Sequence, residues 1–185
     1  MIMQLWIDLE TTGLSPDSDE IIEVGWFIAD NWEWVTQPQS AIVTPSKTTW
    51  ELMKQDLFVQ SMHTQNGLID EMMQGDTLMI EDIEDQILDD LRPLMALQPD
   101  EPVILAGSSV HFDRGFIHEY MPRLDKVLMH RHFDVSVLRM FFDDMGYFSF
   151  KLEGDSLHRA EEDVRASYSQ ARNYVELINE LSEAD

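Results

Sequence analysis

Asp8 and Glu10 stand two residues apart in an apolar run, residues 4–14 (QLWIDLETTGL), that ends at a turn. On a strand, residues two apart project to the same face. The two carboxylates therefore sit side by side and repel, and a hard divalent cation with oxygen ligands relieves that repulsion. The pair is not diagnostic alone, because Asp82 and Glu84 repeat its spacing. The contexts differ: Asp82 and Glu84 fall on the polar face of a helical pattern, Asp8 and Glu10 on an apolar strand. A second group is residues 107–113 (GSSVHFD), which follow the apolar run 102–106. A strand leading through a Gly-Ser turn into a helix is a common ligand site in α/β folds. Ser109 is then placed to contact a phosphate, and Asp113 to point back at the sheet. The alternative is that Ser109 caps the helix and Asp113 is an ordinary first-turn acid. A third group is His158 with Asp163, five residues on. Five helical steps turn about 500°, or about 140° net, so the two do not share a helical face. They converge if His158 lies on the loop before the helix and Asp163 on its second turn. His158 is then suited to take a proton near neutral pH; otherwise it is an exposed loop histidine beside a solvated acidic face. Together, four carboxylates and one histidine meet the needs of two-metal phosphodiester hydrolysis. Carboxylates hold two cations about 3.5–4 Å apart, and a base deprotonates the attacking water.

These residues need elements to position them. Residues 3–9 read as a buried strand and residues 20–29, rich in β-branched and aromatic residues, as a second. Residues 32–43 read as a third, with short connections that imply an antiparallel meander. Residues 48–75 are less regular, with short helices broken near 63–67. Residues 80–97 carry apolar side chains at helical spacing with acids opposite. Residues 102–106 form a fourth strand, followed by a helix at 112–120. A short fifth strand at 132–135 leads into a helix at 135–145. A polar loop spans 146–156. The last helix, about 159–181, has its apolar face at Ala160, Val164, Tyr168, Ala171, Val175, Ile178 and Leu181. This order implies an α/β layer structure with a mixed sheet.

Composition narrows the function. The chain has 185 residues, 44% of them hydrophobic, enough for one globular domain, 1–185. It has no cysteine, which removes disulfides, thiolate catalysis and cysteine-bound metals. No run of about 18 apolar residues and no signal-peptide pattern is present, so a cytoplasmic protein with no membrane partner is expected. Its 36 acidic and 12 basic residues give a formal net charge of −24. A protein that grips long nucleic acid carries a basic stripe, and two divalent cations would cancel only four of these charges. Any nucleic-acid substrate is therefore short or locally held; the charge is otherwise simply that of a highly soluble surface.

At these residues the sequence resembles the DEDDh family of 3′→5′ exonucleases, within it the oligoribonucleases. Residues 6–14 are similar to the family's first motif, and residues 63–68 (HTQNGL) to its His-Thr-x-Ser-Gly-Leu stretch. Residues 107–122 resemble the second motif and its helix, residues 131–136 (RHFDVS) an Arg-Tyr-Leu-Asp-Val-Ser segment, and residues 158–165 (HRAEEDVR) the third motif. The matches are collinear over nearly the whole chain. The resemblance implies an RNase H-like fold, a five-stranded mixed β-sheet flanked by α-helices. It implies cleavage of short single-stranded RNA, chiefly dinucleotides, to 5′-mononucleotides. It implies Asp8, Glu10, Asp113 and Asp163 as ligands of two Mg²⁺ or Mn²⁺ ions and His158 as general base. It places Leu14 beside a base, Ser109, Arg131 and Ser136 in a cap over the 5′-phosphate, and His63 among the substrate-binding residues. A closed cap leaves a longer chain's next phosphate nowhere to go. The family is homodimeric. This chain departs from it at Ser108 (usually Asn), Gly115 (Arg), Phe58 (Trp) and His130 (the Tyr lent across the dimer), and Lys151 lies seven residues before His158 rather than four. Two other readings remain: a DEDDh enzyme acting on longer single-stranded DNA or RNA, which needs stacking aromatics and cations, and a non-catalytic acidic binding module.

Overall fold

A computed structural model describes residues 3–146 and 157–183. Residues 147–156, most of the polar loop before the last helix and with it Lys151, lie outside the described residues. The strands are β1 (Met3–Thr11), β2 (Ile21–Asp30), β3 (Glu33–Trp34), β4 (Gln39–Ile42), β5 (Val103–Gly107) and β6 (Leu128–Asp134). The helices are α1 (Lys47–Gln55), α2 (Leu57–Gln65), α3 (Leu68–Gln74), α4 (Ile80–Leu97), α5 (His111–Tyr120), α6 (Pro122–Val127), α7 (Val135–Asp144) and α8 (Ala160–Glu183).

The strands form one mixed sheet in the order β3-β2-β1-β5-β6, with β4 also on β2. β1 pairs antiparallel with β2 and parallel with β5, and β5 pairs parallel with β6. The expected mixed sheet flanked by helices is present, with six strands instead of five. The expected third strand divides into β3 and β4 around Gln37 and Pro38, which pair with opposite ends of β2. Proline has no N–H to give a ladder, which favours a break there. Helix α6 was not anticipated. It opens on Pro122 at its first position, and Met121 before it leaves the helical region at φ −128°, as a residue preceding proline tends to do. β6 also begins four residues earlier than its sequence signal, through the exposed His130, Arg131 and His132.

Alternation along β1 decides which face carries the chemistry. Leu5, Ile7 and Leu9 join a core made with Ile83, Ile87 and Leu91 of α4 and Phe116 of α5. Trp6, on the opposite face, packs with Phe27, Val164, Tyr168 and Ala171; its ring stacks near-parallel on Phe27 and meets Tyr168 edge-on. Asp8 and Glu10 share Trp6's parity and so face α8. The first half of α8 buries the anticipated Ala160, Val164, Tyr168 and Ala171. Beyond them the buried side rotates to Tyr174 and Leu177, and Ile178 and Leu181 are exposed.

Gly25 lets α8 reach the sheet. It pairs with Asp8 across β1 and β2. A Cβ there would lie 2.3 Å from the carbonyl carbon and oxygen of Ala160 and 2.7 Å from the Glu161 nitrogen. These are backbone atoms, so only a shift of α8 makes room. Gly25→Ala should therefore lower the urea midpoint, corresponding to about 1–3 kcal/mol of overpacking. An unchanged midpoint would show that the helix start is not seated this closely.

Candidate active site

β1 delivers Asp8 and Glu10 to the α8 face of the sheet, beside β5's C-terminal end. Asp113 arrives in the first turn of α5, where its Oδ1 accepts the Leu9 amide at 3.1 Å and ties that helix to β1. Asp163 lies in the first turn of α8, one turn earlier than its spacing suggested, because the helix starts at Ala160. His158 is exposed two residues before the helix, with its backbone in the left-handed region at φ +52°. One ligand atom each from Glu10, His158 and Asp163 lies within 4.8 Å of the others.

The electrostatics are those of crowded acids. Burial pushes the Asp8 carboxyl well above its usual range, and Asp113, Glu10, Asp163 and Glu23 push it further. Burial, then Asp163, Glu23 and Asp113, raise Glu10 to about 8, against a smaller downward pull from Arg159. Asp113 is raised by burial, although amide hydrogen bonds from its own backbone and Leu9 oppose the shift. His63 is fully buried, and its Nε2 lies 3.7 Å from Glu10 Oε2. Burial lowers His63 to about 4, so near neutral pH it brings no positive charge. Oxygen-rich, desolvated and mutually repelling, this donor set fits hard divalent cations. The buried, unpaired Nε2 of His63, which faces Glu10, is consistent with a polar group completing the site.

The second cluster forms around Asp134. Its Oδ1 accepts the Ser109 amide at 3.0 Å, the Ser136 amide at 2.9 Å and the Ser136 hydroxyl at 2.6 Å. Ser109 and Ser136, 27 residues apart in the sequence, are thus brought together. Ser109 does not cap α5, which has no side-chain cap, and its φ is +58°. Arg131 is exposed on β6, three residues before Asp134. Leu14 is 84% exposed on the turn after β1, and that turn is braced by the mutual bonds of Thr12 and Glu20 and by Ser15 N–H to Asp19. Leu14 and Arg131 do not pack into the acid cluster.

Three residues here were missed in the sequence. Glu23, a charged residue inside the apolar strand β2, pairs across from Glu10. Arg159 bonds Glu23 and Glu71. Asp134 had a signal, an acid two residues before a serine at a helix start. Glu23's anomaly within an apolar run was the other readable sign.

Residues 5–170 match the profile of the Exonuclease family. An oligoribonuclease of Pseudomonas syringae pv. tomato is 31% identical, with 93% of each chain aligned. One from Streptomyces avermitilis is 34% identical over 94% of this chain and 86% of that one. The chain belongs to the exonuclease family, among its oligoribonucleases. An oligoribonuclease of Corynebacterium diphtheriae is 39% identical over 73% of this chain, a match that spans 62% of that relative's length. Solved structures of exonuclease I share the fold at low identity. One has a TM-score of 0.63 at 16% identity, covering 92% of this chain and 40% of that one. Another, Escherichia coli exonuclease I with a dT13 oligonucleotide, has a TM-score of 0.60 at 15% identity, again over 92% and 40%. These exonuclease-family folds are RNase H-like, and the family depends on divalent metal.

Glu10 illustrates the pH consequence. Its pKa rises from 4.5 to about 8 in the folded metal-free chain, so its contribution to stability is full below 4.5 and is lost as pH rises through 8. A bound cation removes this penalty. Mn²⁺ should therefore raise the thermal midpoint more at about pH 8 than at about pH 5, as read by scanning fluorimetry. Equal shifts at both pH values would contradict this assignment of the acid cluster.

Proposed function

We propose that this chain is a 3′→5′ exoribonuclease that hydrolyses short oligoribonucleotides, dinucleotides above all, to 5′-mononucleotides. The observation that carries the reading is the convergence of Asp8, Glu10, Asp113 and Asp163 with His158 in a chain that matches oligoribonucleases along its length. Asp8, Glu10, Asp113 and Asp163 are the groups to hold two Mg²⁺ or Mn²⁺ ions. When bound, such ions neutralise charge on the scissile phosphate and lower the pKa of the attacking water. His158 takes the proton of that water and is exposed enough to pass it to solvent. Asp113 is held in line by the Leu9 amide, and His63 backs the Glu10 carboxylate from the buried side. Leu14 supports a terminal base.

Ser109, Ser136 and Arg131 line the 5′-phosphate end. The Ser136 hydroxyl is committed to Asp134, so Arg131 carries the cationic part of that contact. Length selection follows from charge: at −24 the chain repels the flanking phosphates of a long substrate. The chain 1–185 acts as one domain, in the cytoplasm; no helix among the described residues is long and apolar enough to cross a membrane. We assign it as a homodimer. Val137, Met140, Phe141 and Met145 form an exposed apolar stripe on and just beyond α7, beside the edge strand β6. Such a stripe, next to unpaired strand groups, favours a partner surface.

Purified protein with Mg²⁺ or Mn²⁺ should cleave a 5′-phosphorylated RNA dinucleotide, and Asp113→Ala should abolish turnover. His158→Ala should lose at least about 100-fold in kcat while still binding the dinucleotide. No turnover by the wild type would sink the enzyme reading, and faster turnover of 20-mers than of dimers would sink the length assignment. Sedimentation should report a dimer that Phe141→Asp converts to monomer; a wild-type monomer would remove the stripe as its interface.

A further inference from the structure

His158 occupies an awkward position for a group that must meet a water reproducibly. It is exposed, it precedes its helix, and its φ of +52° is disfavoured for a residue with a Cβ. Left alone, such a residue relaxes to negative φ and carries its ring away from Glu10 and Asp163. Three restraints meet on it and its neighbour. The Asn66 side-chain amide donates to the His158 carbonyl oxygen. Arg159 is gripped from two sides. Its Nε and Nη2 reach the two Glu23 oxygens at 3.1 and 3.0 Å, while Nη1 and Nη2 reach the two Glu71 oxygens at 3.0 and 2.7 Å. Glu23 also accepts the Ala160 amide at 3.1 Å, which fixes the first residue of α8.

Glu23 is 1% exposed, and its fork-to-fork contact with Arg159 is a rigid, orientation-specific bond. Gly25, two residues along the same strand, seats the Ala160 backbone against the sheet. The base is thus held by β2 and by the α2–α3 segment.

We propose that Glu23 and Arg159, together with Asn66, form a latch that positions His158 for catalysis. They act through the backbone of His158 and the residues that follow it. The inference rests on the reading of His158 as the base, and it separates two roles that the acid cluster mixes: Glu10 and Asp163 face the reaction, whereas Glu23, more buried than either, is consumed in holding the base.

The test is a double-mutant cycle with a readout independent of turnover. Arg159→Met should lower kcat on a dinucleotide about 10- to 100-fold, since small misplacements of a reacting group cost this much. KM should stay within about threefold. In a His158→Ala background the same substitution should cost less than about threefold, because the group it positions is gone. Asn66→Ala leaves the buried Glu23–Arg159 pair intact. It should show the same pattern and decides the matter if Arg159→Met does not fold. Amide hydrogen exchange on the metal-free protein should speed up at residues 157–163 in either variant, with α4 and β5 unchanged. Equal losses in both backgrounds, an unchanged kcat, or unchanged exchange at 157–163 would overturn the latch. If the wild type cleaves no dinucleotide, the exchange measurement alone decides it, so the two readings fail separately.

Discussion

Like charges held close together in a poorly solvated place set the terms for this molecule. Asp113, Asp163 and Glu23 add to burial in raising the proton affinity of Asp8 and Glu10, and no arrangement of apolar side chains relieves that. Two devices make the arrangement tolerable. One is the Arg159 guanidinium. Burial alone would lower it, but hydrogen bonds to Glu23 and Glu71 outweigh burial and hold it above its usual value. The other is the affinity of oxygen clusters for divalent cations. Everything else in the fold serves to keep the acids from drifting apart. β1 is paired on both sides, its two faces are packed under separate cores, and both α5 and α8 are pinned at their first turns.

The proposed substrate side is built differently. Around Asp134 a single carboxylate collects two serines from distant segments, and this depends on hydrogen bonds more than on burial. Leu14 and Arg131 project from it into solvent. Glu10 and Asp113 are buried, whereas Ser109, Asp134 and Ser136 are partly or fully exposed. That division suits the proposed reaction on a small, charged substrate.

Much of this was readable before any coordinates. The strand β1, the amphipathic α4 and the alternation that puts Asp8 and Glu10 together follow from local pattern. So does the placement of Asp113 after a strand and His158 before a helix. What escaped has a common cause. Glu23 looked like an interruption in an apolar strand because its partner, Arg159, is 136 residues away. Helix α6 is a six-residue piece set by one proline, too short for periodicity to show. The break between β3 and β4 is a matter of which part of β2 each piece can reach. The rotation of α8's buried side at Tyr174 and Leu177 reflects what the sheet and α7 offer it. Pattern reports what a segment prefers; it says little about partners selected across the chain.

The helix seated on Gly25 is also the last element in the described order to be made. β1, β2, β5 and α5 precede it, and β1 must wait for β5, about a hundred residues later, for its parallel neighbour. A growing chain that has emerged only through α7 therefore presents Asp8, Glu10 and Asp113 without His158 and Asp163. Domains fold as units during synthesis, and here His158 and Asp163 join the acid cluster only after β1, β5 and α5 have been made.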